Sequence, residues 1–201
     1  TTGAITLDGN VTALDQLTLT SDGTGNITQT NGAISAANLL VTAVGDATLN
    51  QATNNVATLA VDLNPGSFAY TDLDGLSIGT VAATSGITTG NGGDGGDVTI
   101  NAPNGTIVVD QSIDTSPGSG GGIIMTGGVT PNATMTTGGG TITLNGDSGS
   151  TADQVISFDL TSSGSINLSP PRDIIVGAIL TTTATGADIN LAAPRSARCC
   201  S

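Results

Sequence analysis

The chain has 201 residues and a net charge of −13, from 16 acidic side chains that are all Asp and 3 basic ones that are all Arg. Residues 1 to 171 hold no cation, so the surface repels nucleic-acid phosphates and anionic lipid headgroups. Without His, no Ser-His or Cys-His nucleophile pair can form.

Gly and Thr supply about a third of the residues and aromatics 1%, a bias towards strands and tight turns with a thin aliphatic interior. No apolar run approaches the eighteen or so residues that span a bilayer as a helix. Thr1 opens directly on repeat sequence, which reads as a mature product or an excerpt. Asp-only acidity without Lys suits an extracellular, salty or calcium-containing setting.

One short strand recurs along the chain, at residues 3–7, 25–29, 45–49, 66–70, 96–100, 121–125, 140–144, 164–168 and 187–191. Eight copies open on Gly and the last on Ala187. Their first inward residues are Ile5, Ile27, Ala47, Phe68, Val98, Ile123, Ile142, Ile166 and Ile189, with a mean step of about 23 residues. The second inward position reads Leu7, Gln29, Leu49, Tyr70, Ile100, Met125, Leu144, Leu168 and Leu191. Apolar residues two apart require strands, since a helix places them three and four apart. A repeat this short is one coil of a solenoid, and the pattern predicts an all-β, right-handed parallel β-helix of about nine coils, with one domain over 1–192.

The predicted core is Ile5, Leu7, Ile27, Leu49, Phe68, Tyr70, Val98, Ile100, Ile142, Leu144, Ile166 and Leu168. Gln29 interrupts it and is expected near an edge or bonded to a backbone group. Between and after the inward positions run Thr-rich and Asn-rich outer ranks, with Asp8 aligned to Thr30 in the second of them.

In chain order, 3–65 is most regular, with further strands at Leu17-Thr18-Leu19, Leu39-Leu40-Val41 and Leu59-Ala60-Val61. Asn54-Asn55 and Asn64-Pro65-Gly66 supply turns. The fourth coil is longest, its extra residues expected between Thr84 and Gly95 with 90–96 as a loop. Further Gly-rich stretches at 116–122 and 127–140 are expected to project from a corner.

Asn55-Val56-Ala57-Thr58-Leu59-Ala60, Gly66-Ser67-Phe68-Ala69-Tyr70-Thr71-Asp72, Gly75-Leu76-Ser77-Ile78-Gly79-Thr80-Val81 and Gly86-Ile87-Thr88-Thr89 resemble the repeat regions of bacterial filamentous-haemagglutinin-like exoproteins. The likeness is most specific over 54–100, and looser G-x-I-x-L repeats extend it over 3–192. It implies a right-handed parallel β-helix on a secreted or surface-attached adhesin, and it carries no catalytic residues. Pro103-Asn104-Gly105-Thr106-Ile107 only partly echoes that family's Asn-Pro-Asn-Gly-Ile secretion signature, having Ala102 before the proline and an inserted Thr, and reads as a turn.

Residues 193–201 hold two of the three Arg and both Cys without repeat logic. Cys199 and Cys200, too strained to bond each other readily, could cross-link two chains in an oxidising setting.

Gly92-Gly93-Asp94-Gly95-Gly96-Asp97 resembles the start of a calcium-binding nonapeptide, but it is one copy of a motif that works in tandem. Asp94 and Asp97, with Asp72 and Asp74 as a weaker pair, are the calcium candidates, and a loop without metal is the plainer expectation. Asp72 with Asp74, or Asp110 with Asp114, could reach a glycosidase-like carboxylate spacing, although few residues are present to bind sugar. Thr28-Gln29-Thr30 fits an ice-ordering Thr-x-Thr rank, but Ala69, Ile124, Asn167 and Asn190 interrupt it. Asn-x-Ser/Thr at Asn10, Asn26, Asn104, Asn132 and Asn167 arises readily by chance in a Thr-rich chain.

The resulting expectation is a non-catalytic extracellular scaffold, part of a surface adhesin or of an end-to-end fibre. Its partners would be further coils, copies of itself, or a host or matrix glycan or protein. An enzyme would gather Asp in one groove, whereas a scaffold would scatter Asp over corners.

Overall fold

The computed structural model describes residues 3–146 and 153–199. It is a parallel β-solenoid of about eight turns, without a helix among the described residues. All nine predicted strands stack in one ladder. Ile5, Ile27, Ala47, Phe68, Val98, Ile123, Ile142, Ile166 and Ile189 are successive register partners. Nine strands bound eight turns, which reconciles the predicted coil count with the observed one.

Each coil carries three faces. The repeat strand forms the first. The second starts at Val11–Thr12, continues through Gly75–Ile78 and the latter parts of Val98–Val109 and Ile123–Pro131, and ends in Gln154–Ile156, Ile174–Val176 and Ala197–Cys199. The third aligns Leu19, Val41, Val61, Ile87, Ile113, Met135, Leu160 and Leu180. Inward aliphatics from all three faces form one continuous core. Each buried side chain of this size contributes about 1.5–3 kcal/mol. A single coil has too few to offset its own ordering entropy, so coils stabilise one another.

Close stacking explains why the repeat opens on Gly. A Cβ on Gly66 would overlap the carbonyl oxygen of Gly45, one on Gly96 that of Gly66, and one on Gly121 the carbonyl carbon of Gly96. The same column continues through Gly140 and Gly164, which approach the backbone at Gly122 and Gly140.

A second device closes this corner. Two residues beyond the inward aliphatic of the third face, Ser21, Thr89, Thr115, Thr137 and Ser162 are buried. Their hydroxyls donate to the carbonyls of Gly25, Gly96, Gly121 and Gly140, Thr137 and Ser162 sharing the last, at 2.5–2.9 Å. The solenoid therefore holds its glycine column by hydroxyls that are inside rather than on the surface. The sequence signal is an inward aliphatic followed two residues later by Ser or Thr, a position that strand alternation places on the same inward face but that residue type alone reads as surface.

Several expectations shift. The fourth coil's excursion begins earlier than Thr84, as an antiparallel hairpin pairing Thr80–Val81 with Thr84–Ser85 through Ala82 at a φ of 54°. Residues 127–140 are largely strand, not a projecting loop, because Ile123–Pro131 bends through Gly127 at a φ of 136° and Met135–Thr137 joins the third face. Residues 101–106 are a register shift within Val98–Val109, where the chain turns from one face to the next. Asp8 pairs with Asn31 rather than Thr30, because a bulge follows Leu7, yet Thr30 Oγ1 still donates to Asp8 at 3.1 Å. Ten of the twelve predicted core residues are buried, while Ile5 and Leu7 are partly covered because only one coil packs on them. The tail expected to leave the pattern adds Ala197–Cys199 to the second-face stack on Ile174–Val176. Cys199 therefore lies in a strand, and Cys200 lies outside the described residues.

Candidate functional site

The polar chemistry concentrates at two corners. Where the first face turns into the second, inward polar side chains replace aliphatics. Gln29, buried, donates from Nε2 to the Gly32 carbonyl at 3.0 Å and to Asn54 Oδ1 at 2.7 Å, so it does bond a backbone group. Asn54, expected in a turn, is fully buried. It returns the bond to Gln29 Oε1 at 3.0 Å, donates to the Leu49 carbonyl and accepts from Ile34 N. Every polar atom of this amide is satisfied, as burial demands.

One coil on, Asp72 takes the equivalent part, accepting from Val56 N at 3.1 Å as Asn54 accepts from Ile34 N. Asp72 is fully buried and also accepts from Tyr70 OH at 2.9 Å, Gly75 N at 2.9 Å and Asp74 N at 3.3 Å. Burial pushes its carboxyl above the ordinary carboxylate value, against the four donors that hold it down. The Tyr70 phenol is driven up by burial and by the Asp72 charge, so it stays neutral. Its ring stacks on Phe68 with centroids 6.3 Å apart.

The second corner, before the first face, carries a rank of oxygen acceptors. Asn26 Oδ1 accepts from Asp46 N, Asp46 from Ser67 N, Ser67 Oγ from Asp97 N, and Asp97 from Gly122 N, at 2.7–3.2 Å. Ser165 Oγ and Asp188 N repeat the bond further along. Each side chain thus takes up a corner N–H of the next coil that no strand partner reaches. Asp94, Asp159 and Asp173 do the same for Ser119 N, Ile179 N and Ser196 N.

The predicted site residues are not brought together. Asp94 and Asp97 each bind a backbone N–H of the coil above, and the Ser119 bonds hold Asp94 below the ordinary carboxylate value. Asp72 points inside, whereas Asp74 is exposed and accepts from Asn55 Nδ2 at 3.5 Å. Asp110 is clasped by Ser77 Oγ at 2.7 Å and Asn132 Nδ2 at 3.0 Å, which lower its pKa, and Asp114 accepts from Ser116 N. Among the described residues no three His, Cys, Asp or Glu side chains gather as a metal would need. The carboxylate with a raised pKa is enclosed, and the two with lowered pKa values are exposed acceptors between coils. What the arrangement does chemically is neutralise unpaired backbone donors.

Comparison with protein-family models, with curated proteins and with solved structures finds no match.

Proposed function

We propose that this chain is a structural segment of an extracellular β-solenoid, a scaffold of a surface adhesin or fibre with no chemistry of its own. The supporting observation is the use of its carboxylates. Of the Asp residues in the sequence's candidate pairs, Asp94, Asp97 and Asp110 bond the next coil, and Asp72 braces the core. Carboxylates committed to stacking are what a scaffold requires, and scattering them over corners keeps like charges apart.

The acidic exterior favours solubility and resists association with anionic surfaces. The coils would continue in a longer polypeptide or stack on further copies, since a coil of this kind is completed by its neighbours.

Cryo-electron microscopy of the native assembly tests this reading. Coils running across subunit or domain boundaries at about 4.8 Å spacing are the expected result. Isolated particles of uniform size, unchanged as concentration rises, would remove the fibre and continuous-coil role.

A further inference from the structure

The corner between the third face and the first differs in length from coil to coil. Ser21, Ala43, Leu63 and Thr89 stand at one register position where the third face ends. From there to the glycine that opens the next first-face strand run residues 22–24, then Val44 alone, then Asn64 and Pro65, then residues 90–95. The two short corners therefore form a notch between two longer ones. Residues 90–95 fold back over this notch, with Asn91 N donating to the Leu63 carbonyl at 3.4 Å and Gly93 lying against the Pro65 ring. Insertions of this kind often build the binding face of a solenoid.

The notch holds a groove of about 210 Å³, lined by Asp22, Thr42, Val44, Asp62, Asn64 and Asn91 among others. Asp22, Asn64 and Asn91 are exposed, and Thr42, Val44 and Asp62 are half-buried, so the groove is open to a solute. Elsewhere at this corner Asn26, Asp46, Asp94 and Asp97 take up backbone N–H groups of neighbouring coils. The side chains in the groove do not. Among the described residues the Asn64 amide and the Thr42 hydroxyl have no hydrogen-bond partner, and Asp62 and Asn91 bond only each other, Nδ2 to Oδ1 at 3.3 Å. Stacking of coils accounts for the other corner acceptors and leaves these four side chains unused.

We propose that this groove binds a neutral polyhydroxylated ligand, one pyranose ring of a glycan. Adjacent sugar hydroxyls each donate and accept, which matches a lining of mixed capacity: Asp62 Oδ2 and the Asn91 carbonyl accept, while the Asn64 amide and the Thr42 hydroxyl do both. A hydroxyl donating to a carboxylate makes a charge-assisted bond, so Asp62 is the strongest single contact. Val44 and Ala43 supply an apolar wall for the C–H face of the ring. The volume equals that of about seven waters, room for one ring with the rest of the glycan in solvent. An anion would meet a chain of net charge −13. A metal would find Asp62 already holding the Asn91 N–H, and no three His, Cys, Asp or Glu side chains gather among the described residues. This goes beyond the scaffold role and does not depend on it.

The test titrates the whole chain with methyl glucoside, methyl mannoside and methyl galactoside, following the Asn64 and Asn91 side-chain amides by NMR. At least one glycoside should shift both amides together, saturating with the millimolar Kd of a small, few-contact ligand. Asn64→Ala removes a side chain that bonds nothing in the fold, and should weaken binding about threefold or more. A smaller change in that variant overturns the proposal, as does the absence of any shift in the two amides up to about 100 mM of all three glycosides. Shifts produced by calcium chloride at about 1 mM and by no glycoside would overturn it too, and would give the groove to a cation. Should the variant fail to fold, the amide shifts of the unaltered chain decide by themselves.

Discussion

At the scale of the residue, small side chains carry constraints that larger ones could not meet. Gly121 lies where any Cβ would strike the Gly96 backbone, whereas a Cβ on Gly93 would meet nothing nearer than Pro65 Cγ at 3.5 Å. Gly121→Ala should lower stability by about 1–3 kcal/mol, the cost of overpacking, and Gly93→Ala should stay within about 0.5 kcal/mol, both measured by urea unfolding. Asp72 makes a pH-dependent contribution of the opposite sign to most structural carboxylates. Its pKa is raised on folding, so between 3.8 and that higher value the folded state holds more proton than the unfolded. Stability from this group is greatest below 3.8 and declines as pH rises through the folded pKa. The lowered pKa values of Asp94 and Asp110 act in the other direction and below 3.8. Asp72→Asn copies the solution used one coil earlier by Asn54, and should flatten the decline in urea midpoint above that pH. A decline as steep in the variant as in the parent would show that Asp72 is not its source.

At the scale of the element, a strand is stable in proportion to the partners on both its edges. In a parallel ladder alternate residues address opposite neighbours. Gln154 N donates to the Asp173 carbonyl of the coil above at 2.8 Å, so the Val155 N–H, between two inward residues, faces the coil below, where Gln154–Ile156 forms no strand pairing among the described residues. Ile142, on the first face of the same coil, donates to the Ser165 carbonyl at 3.0 Å. Hydrogen exchange should therefore be faster at Val155 than at Ile142 and Gln154, with local opening starting at the second face of this coil. Equal protection at the three amides would mean that Val155 is bonded to the coil below in solution.

At the scale of the whole molecule, a chain of net charge −13 with all its cations beyond residue 171 repels itself when compact. Added sodium chloride should raise the thermal midpoint by screening that repulsion, most steeply below about 0.15 M, where the Debye length changes most, and a midpoint that does not move with salt would contradict this. The parallel stack was legible in the amino-acid order, because period-two alternation within a copy and a repeat of about 23 residues leave one way to bury the apolar face. So were all nine first-face strands, with their inward residues in the register observed, only Asp8 being displaced onto Asn31 by the bulge after Leu7. The roles of the polar residues emerge only once the coils are stacked. Asn54 and Asp72 look like turn residues in the chain, and only the coil beneath, with the free N–H groups of Ile34 and Val56, draws them inside. Whether Asp46 or Asp97 sits beside another carboxylate or beside a backbone donor depends on the length of the coil above it. The missing pairing beneath Gln154–Ile156 is equally invisible in the repeat, since that strand alternates like any other. Apolar periodicity is local and additive along the chain, whereas a hydrogen bond between coils depends on an atom some twenty residues away being within about 3 Å.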